Sequence, residues 1–416
     1  MNAARPSMKS LDDALAELLG FATILDGLEA VSTFEADGRV LARDLTSALH
    51  VPPQDNSSMD GYAVRCSDVA QAPGGVLPVT QRIAAGSSGA VLAPMSAARI
   101  FTGAPIPQGA DAVVMQEDCE VLQSDGEPHG AAVRVKVPPA PGQWIRRAGE
   151  DVALGAVVIR KGERLTPASL GLAASIGMNA RPAMRRPRVA LFSTGDELVM
   201  PGDVAPGQMK PGTIYNSNRF FLRAMLLRLG CEVSDLGIVP DRLDATVEAL
   251  QRAAQSHDLI LTSGGVSVGE EDHIKPAVQS LGSLHVWQIA IKPGKPFAYG
   301  RVRNAHFIGL PGNPVSSFVT FLLLVRPFLL KLQGVTQLTP NSMAMPAHFT
   351  WARADKRREF LRVRRNAEGG LELFANQSSG VLTSAVWADG LLDNPPGQRI
   401  RHGDIVRFIP FSEVLG

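Results

Sequence analysis

The residue types best suited to chemistry are concentrated in one stretch, Asp258-Leu-Ile-Leu-Thr-Ser-Gly-Gly-Val-Ser-Val-Gly-Glu-Glu-Asp272. Small hydroxyls and glycines at Thr262, Ser263, Gly264 and Gly265 leave the backbone bare, so successive N–H groups can point at an anion. Glu270, Glu271 and Asp272 follow at once, and clustered carboxylates suit Mg2+ held beside a phosphate. An anion cradle joined to metal-binding carboxylates points to phosphate-ester or phosphoanhydride chemistry. A rival reading exists, because Gly265-Val-Ser267-Val-Gly269 fits the G-x-S-x-G elbow of serine hydrolases. That elbow needs a helix starting at the serine. Here three acids and then Pro276 follow, and no Ser…Asp…His order stands out downstream.

The cradle has to be positioned, and the flanking pattern says how. Residues 259–261 are apolar without alternation, as in a central strand buried on both faces. Further strands are expected at 189–193, 231–239, 286–291, 297–299 and 306–308. Helices over 218–229 and 243–254 alternate with them, and a long helix over 315–332 closes the series. This order predicts a doubly wound, mostly parallel α/β sheet that gathers ligands beyond the C-terminal ends of its strands. Three more loops on that edge carry related chemistry. Thr194-Gly195-Asp196-Glu197 offers a hydroxyl, bare backbone and two acids, and Lys292-Pro-Gly-Lys295-Pro296 sets two lysines on a rigid turn. Pro311-Gly312-Asn313-Pro314 leads into a helix with open N–H groups and Ser316-Ser317 close by.

Elsewhere the texture is different. Residues 10–19 read as a short amphipathic helix and 39–45 as a strand. Short β-type runs at 76–83, 110–115 and 131–137, broken by Gly and Pro turns, mark 50–146 as an inserted β-rich domain. Residues 147–183, with a helix over 167–177, return to the elongated linker domain that 1–49 begins. Arg185-Arg-Pro-Arg188 reads as a solvated hinge into the α/β domain, 184–334. The remainder, 335–416, reads as a small β-barrel with a hairpin of 360–365 and 371–374 and a last strand at 405–409. For the basic run within it a solvated strand edge is the main alternative to a binding role, particularly for Arg362 and Arg364.

Composition narrows the class. With 45% apolar and 19% charged residues the chain is an ordinary globular protein, and a net charge of +1 gives no general pull towards nucleic acid or acidic membranes. The basic run Lys356–Arg365 has only Phe360 as an interleaved aromatic, unlike a single-strand nucleic-acid platform. Three scattered cysteines, Cys66, Cys119 and Cys231, fit reduced thiols in a cytoplasmic protein and no zinc site. The Met1 end has no signal-peptide apolar core. The apolar run 318–332 is interrupted by Arg326-Pro327 and is shorter than the roughly 20 residues a membrane helix needs.

Seven motifs occur in a fixed order: Asp55-Asn-Ser-Ser-Met-Asp60-Gly-Tyr62, Thr102-Gly-Ala-Pro-Ile-Pro, Gly149-Glu-Asp151, Ser193-Thr-Gly-Asp-Glu197, Ser263 to Asp272, Lys292-Pro-Gly-Lys295-Pro and Leu310-Pro-Gly-Asn-Pro-Val-Ser316. By these the chain closely resembles, over essentially its whole length, the molybdopterin molybdenumtransferases, MoeA in bacteria and the E domain of gephyrin in animals. The resemblance implies a four-part subunit in an elongated homodimer with sites shared across the interface. It implies adenylylated molybdopterin, handed over by the adenylyltransferase, as substrate, insertion of molybdate, and release of AMP. Thr194, Gly195, Asp196, Ser263, Gly264, Gly265, Ser267, Lys292, Pro311, Gly312 and Asn313 would then hold the pterin and its phosphate. Asp272, Glu197 and Asp241 would hold Mg2+, and Asp60, Asp151 and Thr102 would join Asp272 and Glu197 as catalytic residues. Lys295, Pro296, Ser316, Arg357, Ser378 and Ser379 would take molybdate. A non-catalytic scaffold of the same fold remains a further alternative beside the hydrolase, and the retained carboxylates argue against it.

Overall fold

The computed structural model describes residues 8–122, 132–265 and 273–415. Its centre is a six-stranded sheet whose spatial order is Glu232–Val239, Arg188–Thr194, Leu259–Ser263, Ala305–Leu310, Pro296–Val302 and Gly282–Gln288. The first four strands run parallel, Pro296–Val302 runs antiparallel to them, and Gly282–Gln288 runs antiparallel to Pro296–Val302. Alternation across the pleat splits the side chains between two cores. Val189, Leu191, Leu259, Leu261, Ile308 and Leu310 face one core with the helix Asn218–Arg228 and the helix Pro314–Leu332. Ala190, Phe192, Ile260 and Phe307 face the other, with the helices Leu243–Ala253 and Ile274–Leu281. Both faces are covered, which is why these strands are continuous apolar runs.

The Pro314–Leu332 helix has the length and apolarity of a membrane span, but 83% of its most apolar window is buried inside the protein. It is a core helix. Pro327 has no N–H to donate, and the helix passes it through a π-helical turn at Phe321–Val325 rather than breaking there.

Two strand expectations need correction. Residues 39–45 form only single bridges at Val40 and Leu41 and a two-residue strand, Leu45–Thr46. Residues 286–291 are not one strand: Gly282–Gln288 ends in the α/β sheet, and Ile291–Lys292 pairs with Arg358 and Glu359 of the C-terminal sheet. The backbone thus changes sheets just before the Lys292-Pro-Gly-Lys295 turn, where the reading from sequence had a continuous element.

The N-terminal helix, Leu11–Phe21, is capped by Ser10, whose Oγ accepts from Asp13 N at 3.1 Å. Leu28–Ser32 pairs with Ala180–Met184, and Leu45–Thr46 with Val157–Ile159, around a separate small core. Between those segments Gly61–Val64, Val76–Ile83, Ala97–Ile100, Ala112–Met115, Cys119–Leu122 and Ala132–Val135 form a six-stranded sheet of their own. The C-terminal sheet is built on Arg358–Arg365, which pairs with Leu371–Leu373 and with Gly390–Asn394. The Arg185 segment is not a loose hinge. The Arg185 guanidinium meets Asp258 at 2.7 and 2.8 Å, which fixes the entry to the α/β domain.

Candidate active site

Register places the chemistry. Thr194, Val239, Ser263 and Leu310 stand at the C-terminal ends of adjacent parallel strands. The loops carrying Thr194–Glu197, Asp241, Gly264–Gly265 and Pro311–Asn313 therefore leave from one edge. Pro296, which begins an antiparallel strand two residues before the Ala298–Gly309 pair, brings the lysine turn to the same edge.

The glycines are there for space. A side chain on Gly264 (φ +94°) would put its Cβ 2.9 Å from Thr194 O, and one on Gly265 (φ +67°) would put it 2.4 Å from Ile274 Cγ1. Gly312 and Gly264 lie side by side, since a Cβ built on Gly312 would be 4.0 Å from Gly264 Cα. Asn218 ties these loops together: its Nδ2 donates to Ser263 Oγ and to Gly312 O, both at 2.7 Å. Asn218 was not singled out from sequence, where it is only the first residue of the helix Asn218–Arg228. Its tertiary partners only exist once the strands are aligned. Glu197, exposed, folds back so that its carboxylate lies against Gly195. Ser267 and Asp272 lie outside the described residues.

Among the described residues no group of three or more His, Cys, Asp or Glu could hold a metal ion. Glu197 and Asp241 follow the neighbouring strand ends Thr194 and Val239, and carboxylates are the ligand type a hard cation takes.

The lysine turn meets the C-terminal sheet through charge. Lys292 Nζ is 3.0 Å from Glu359 Oε1 and 3.4 Å from Asp355 Oδ2. Glu359 is 1% exposed and also accepts from Trp351 Nε1 at 2.8 Å. Arg357 is gripped by Asp355, so both groups are pulled out of their ordinary ranges. The Arg357 side chain holds the Asp355 carboxyl well below the usual carboxylate range. Neither acid was singled out from sequence. Lys295 is exposed and Ser316 is buried at the start of the long helix. Ser379 O accepts from Val315 N at 2.9 Å, which brings the Ser378–Ser379 turn against Ser316. One of the helix-start N–H groups expected to be open is thus occupied. Arg362 is corrected outright: it is 1% exposed, not on a solvated edge, whereas Arg364 is exposed as read.

A second polar cluster belongs to the inserted domain. Asp60 Oδ1 accepts from Thr102 N at 2.8 Å and from Thr102 Oγ1 at 2.9 Å. The Thr102 backbone N–H, then its hydroxyl, holds the exposed Asp60 carboxyl below its ordinary value. Asp55 accepts from Ala148 N at 2.8 Å and pairs with Arg147 at 2.6 Å, so the Asp55–Tyr62 loop adjoins the turn leading to Asp151. The residues next to this cluster, Tyr62, Ala63 and Ala104, belong to the cores of the inserted domain.

A parallel α/β sheet with a glycine cradle at its strand ends, joined through its lysine turn to the acids of a β-rich domain, has the architecture of an anion-binding protein. Residues 9–177 match the MoeA N-terminal region (domain I and II), 190–331 a "Probable molybdopterin binding domain" and 344–411 the MoeA C-terminal region (domain IV). A molybdopterin molybdenumtransferase of Haemophilus influenzae is 41% identical over 98% of this chain and 100% of its own length. Molybdopterin molybdenumtransferase 2 of Mycobacterium tuberculosis is 38% identical over 87% of this chain and 89% of its own. The crystal structure of the MoeA protein of Pyrococcus horikoshii OT3 superposes with a TM-score of 0.83 at 29% identity, covering 97% of this chain and 100% of that one. The chain belongs to the MoeA family of molybdopterin molybdenumtransferases, enzymes of molybdenum cofactor biosynthesis.

Proposed function

We propose that this enzyme takes adenylylated molybdopterin, inserts molybdate into its dithiolene and releases AMP, in a Mg2+-dependent reaction. The observation that supports this reading is the joining of Ser263 and Gly312 by Asn218 at the ends of parallel strands, with Gly264 beside Gly312 and Glu197 folded against Gly195. Backbone donors at Gly195, Gly265, Gly312 and Asn313 bind and orient the pterin phosphate, while the Gly264 N–H is taken by Leu310 O at 3.1 Å. Glu197 and Asp241, with Asp272, would hold Mg2+, which when bound neutralises charge on the phosphoanhydride oxygens. Lys292 and Lys295 draw the anionic substrate to this edge. Ser316 and Ser378–Ser379 supply hydroxyl donors for the tetrahedral molybdate, with Pro296 beside them and Arg357 as a fork-shaped partner for its oxygens. Asp60 and Thr102 of the inserted domain and Asp151 of the linker domain complete the site from a second subunit, since their neighbours Tyr62, Ala104 and Val152 pack in cores other than those of the α/β sheet.

The test is direct. Purified protein supplied with adenylylated molybdopterin, molybdate and Mg2+ should release AMP and yield metal-bound cofactor, and omission of either molybdate or Mg2+ should slow AMP release. Bound pterin with no AMP release under all conditions would sink the reading. A Ser267→Ala variant that abolishes turnover while Asp272→Asn leaves it intact would instead favour hydrolase chemistry.

A further inference from the structure

Arg362 occupies an unusual position for a charged side chain. It lies on the strand Arg358–Arg365, is 1% exposed, and is among the largest fully buried side chains of the described protein. Cations in or next to the same sheet have acids: Arg358 meets Asp393 at 2.6 Å, Arg357 meets Asp355 at 2.9 Å, and Lys292 meets Glu359 at 3.0 Å. Arg362 has no ion pair among the described residues. Its fork donates only to neutral oxygens: Nη1 to Phe360 O at 3.0 Å, Nε to Ser384 Oγ at 3.1 Å and Nη2 to Ser378 O at 3.4 Å. Burial lowers its pKa to about 10, so it still carries its charge at neutral pH.

A buried cation without a counter-charge is costly, and buried charges are ordinarily paired. This one is held in place from several sides. Arg362 N donates to Gln377 Oε1 at 2.9 Å, and Gln377 Nε2 donates back to Arg362 O at 3.0 Å and to Phe374 O at 2.9 Å. The strap that leads to Ser378 and Ser379 is therefore bolted to Arg362, and Ser379 O is tied to Val315 N beside Ser316. The charge stands directly behind the serine turn.

We propose that Arg362 is a positioning residue for oxyanion binding: its buried charge is left for a dianion bound at Ser316 and Ser378–Ser379 to balance, without touching that dianion. This rests on the reading that those serines take molybdate. It makes Arg362 the source of preference for a doubly charged tetrahedral anion over a singly charged one of the same shape.

The experiment measures binding of sodium molybdate and of perrhenate, a tetrahedral monoanion, to the full-length protein by equilibrium dialysis. Coulomb energy scales with the charge of the anion. Arg362→Met should therefore weaken molybdate about a hundredfold and perrhenate only about tenfold, and Arg362→Lys should keep most of the preference. Equal losses for both anions would mean that Arg362 only shapes the loop, and unchanged binding would remove it from the site; either overturns the proposal. Should Arg362→Met fail to fold, wild type and Arg362→Lys decide: both must bind molybdate more tightly than perrhenate, and absence of that preference in either overturns the proposal. Ser316→Ala separates the two ideas. If it leaves both anions unaffected, the serine site itself is wrong. If it weakens both while Arg362→Met changes neither, only the role of Arg362 fails.

Discussion

Asp355 holds Arg357 at two points, Oδ1 to Nε at 3.0 Å and Oδ2 to Nη2 at 2.9 Å, and the same carboxylate lies 3.4 Å from Lys292 Nζ. A planar carboxylate thus fills the fork of the arginine proposed to meet molybdate. The oxyanion has to compete with Asp355 or share Arg357 with it. Asp355→Asn keeps the shape and removes the charge, so the molybdate concentration giving half-maximal AMP release should fall about two- to fivefold, in line with a partly exposed charge. A rise instead would show that Asp355 orients Arg357 rather than competing for it.

His306 supplies a pH prediction. It is 4% exposed, its Nδ1 lies 2.9 Å from Tyr299 Oη, Arg301 is 3.1–3.2 Å away, and the Phe328 ring meets it edge-on. Burial, then the charge of Arg301, lowers its pKa from 6.5 to about 4, against a weaker opposing pull from Asp258. The folded form therefore binds its proton less readily than the unfolded one. The stability this group contributes is complete above pH 6.5 and is lost as pH falls towards 4, on the order of 3 kcal/mol at full protonation. Urea midpoints measured from pH 7 to pH 4 should decline, and the decline should be shallower in His306→Asn. Parallel pH slopes in the two proteins would remove His306 from the acid response.

Much of this site was legible in the sequence because its loops are defined by local chemistry. Thr194–Glu197, Ser263–Gly265 and Pro311–Asn313 each follow an apolar run, and a strand end with glycines reads the same in one dimension as in three. What stayed hidden depends on partners far along the chain. Asn218 acquires its meaning from Ser263 and Gly312, Glu359 from Lys292, and Arg362 from a strap at Phe374 to Ser378. A run such as Lys-Arg-Arg-Glu-Phe-Leu-Arg-Val-Arg-Arg cannot reveal which arginine turns inwards. The pleat points Arg362 and Arg364 to the same face, and only the Thr383–Trp387 helix and the strap above Arg362 bury one and leave the other exposed.

Two glycine substitutions should separate cradle geometry from general stability. Gly265→Ala meets both a positive φ of +67° and an Ile274 contact at 2.4 Å, so it should cost about 1–3 kcal/mol and weaken pterin binding. Gly171 lies inside the helix Pro167–Ser175 with nothing within 4 Å of an added Cβ. Gly171→Ala should therefore stabilise the protein by about 0.5–1 kcal/mol and leave pterin binding alone. Thermal unfolding and fluorescence titration with the pterin measure both. Normal pterin affinity in Gly265→Ala would show that the cradle does not approach the ligand closely.

The last prediction concerns how many chains build one site. Asp60 and Thr102 form an exposed, hydrogen-bonded acid–hydroxyl pair on the inserted domain, while the glycine cradle belongs to the α/β sheet. In the proposed dimer, Asp60 of one subunit serves the cradle of the other. Homodimers of Asp60→Ala and of Asp272→Ala should each lose most AMP release, provided each is shown to be folded and dimeric. A mixed dimer then contains one site with both lesions and one site with neither. Co-expression with two different tags and purification of the doubly tagged species should restore about half of the wild-type activity per dimer, as expected for independent sites in a symmetric pair. If the two residues acted within one chain instead, every site of the mixed dimer would carry one lesion. The mixed species would then be as inactive as its parents, and Asp60 would have to reach the cradle of its own subunit.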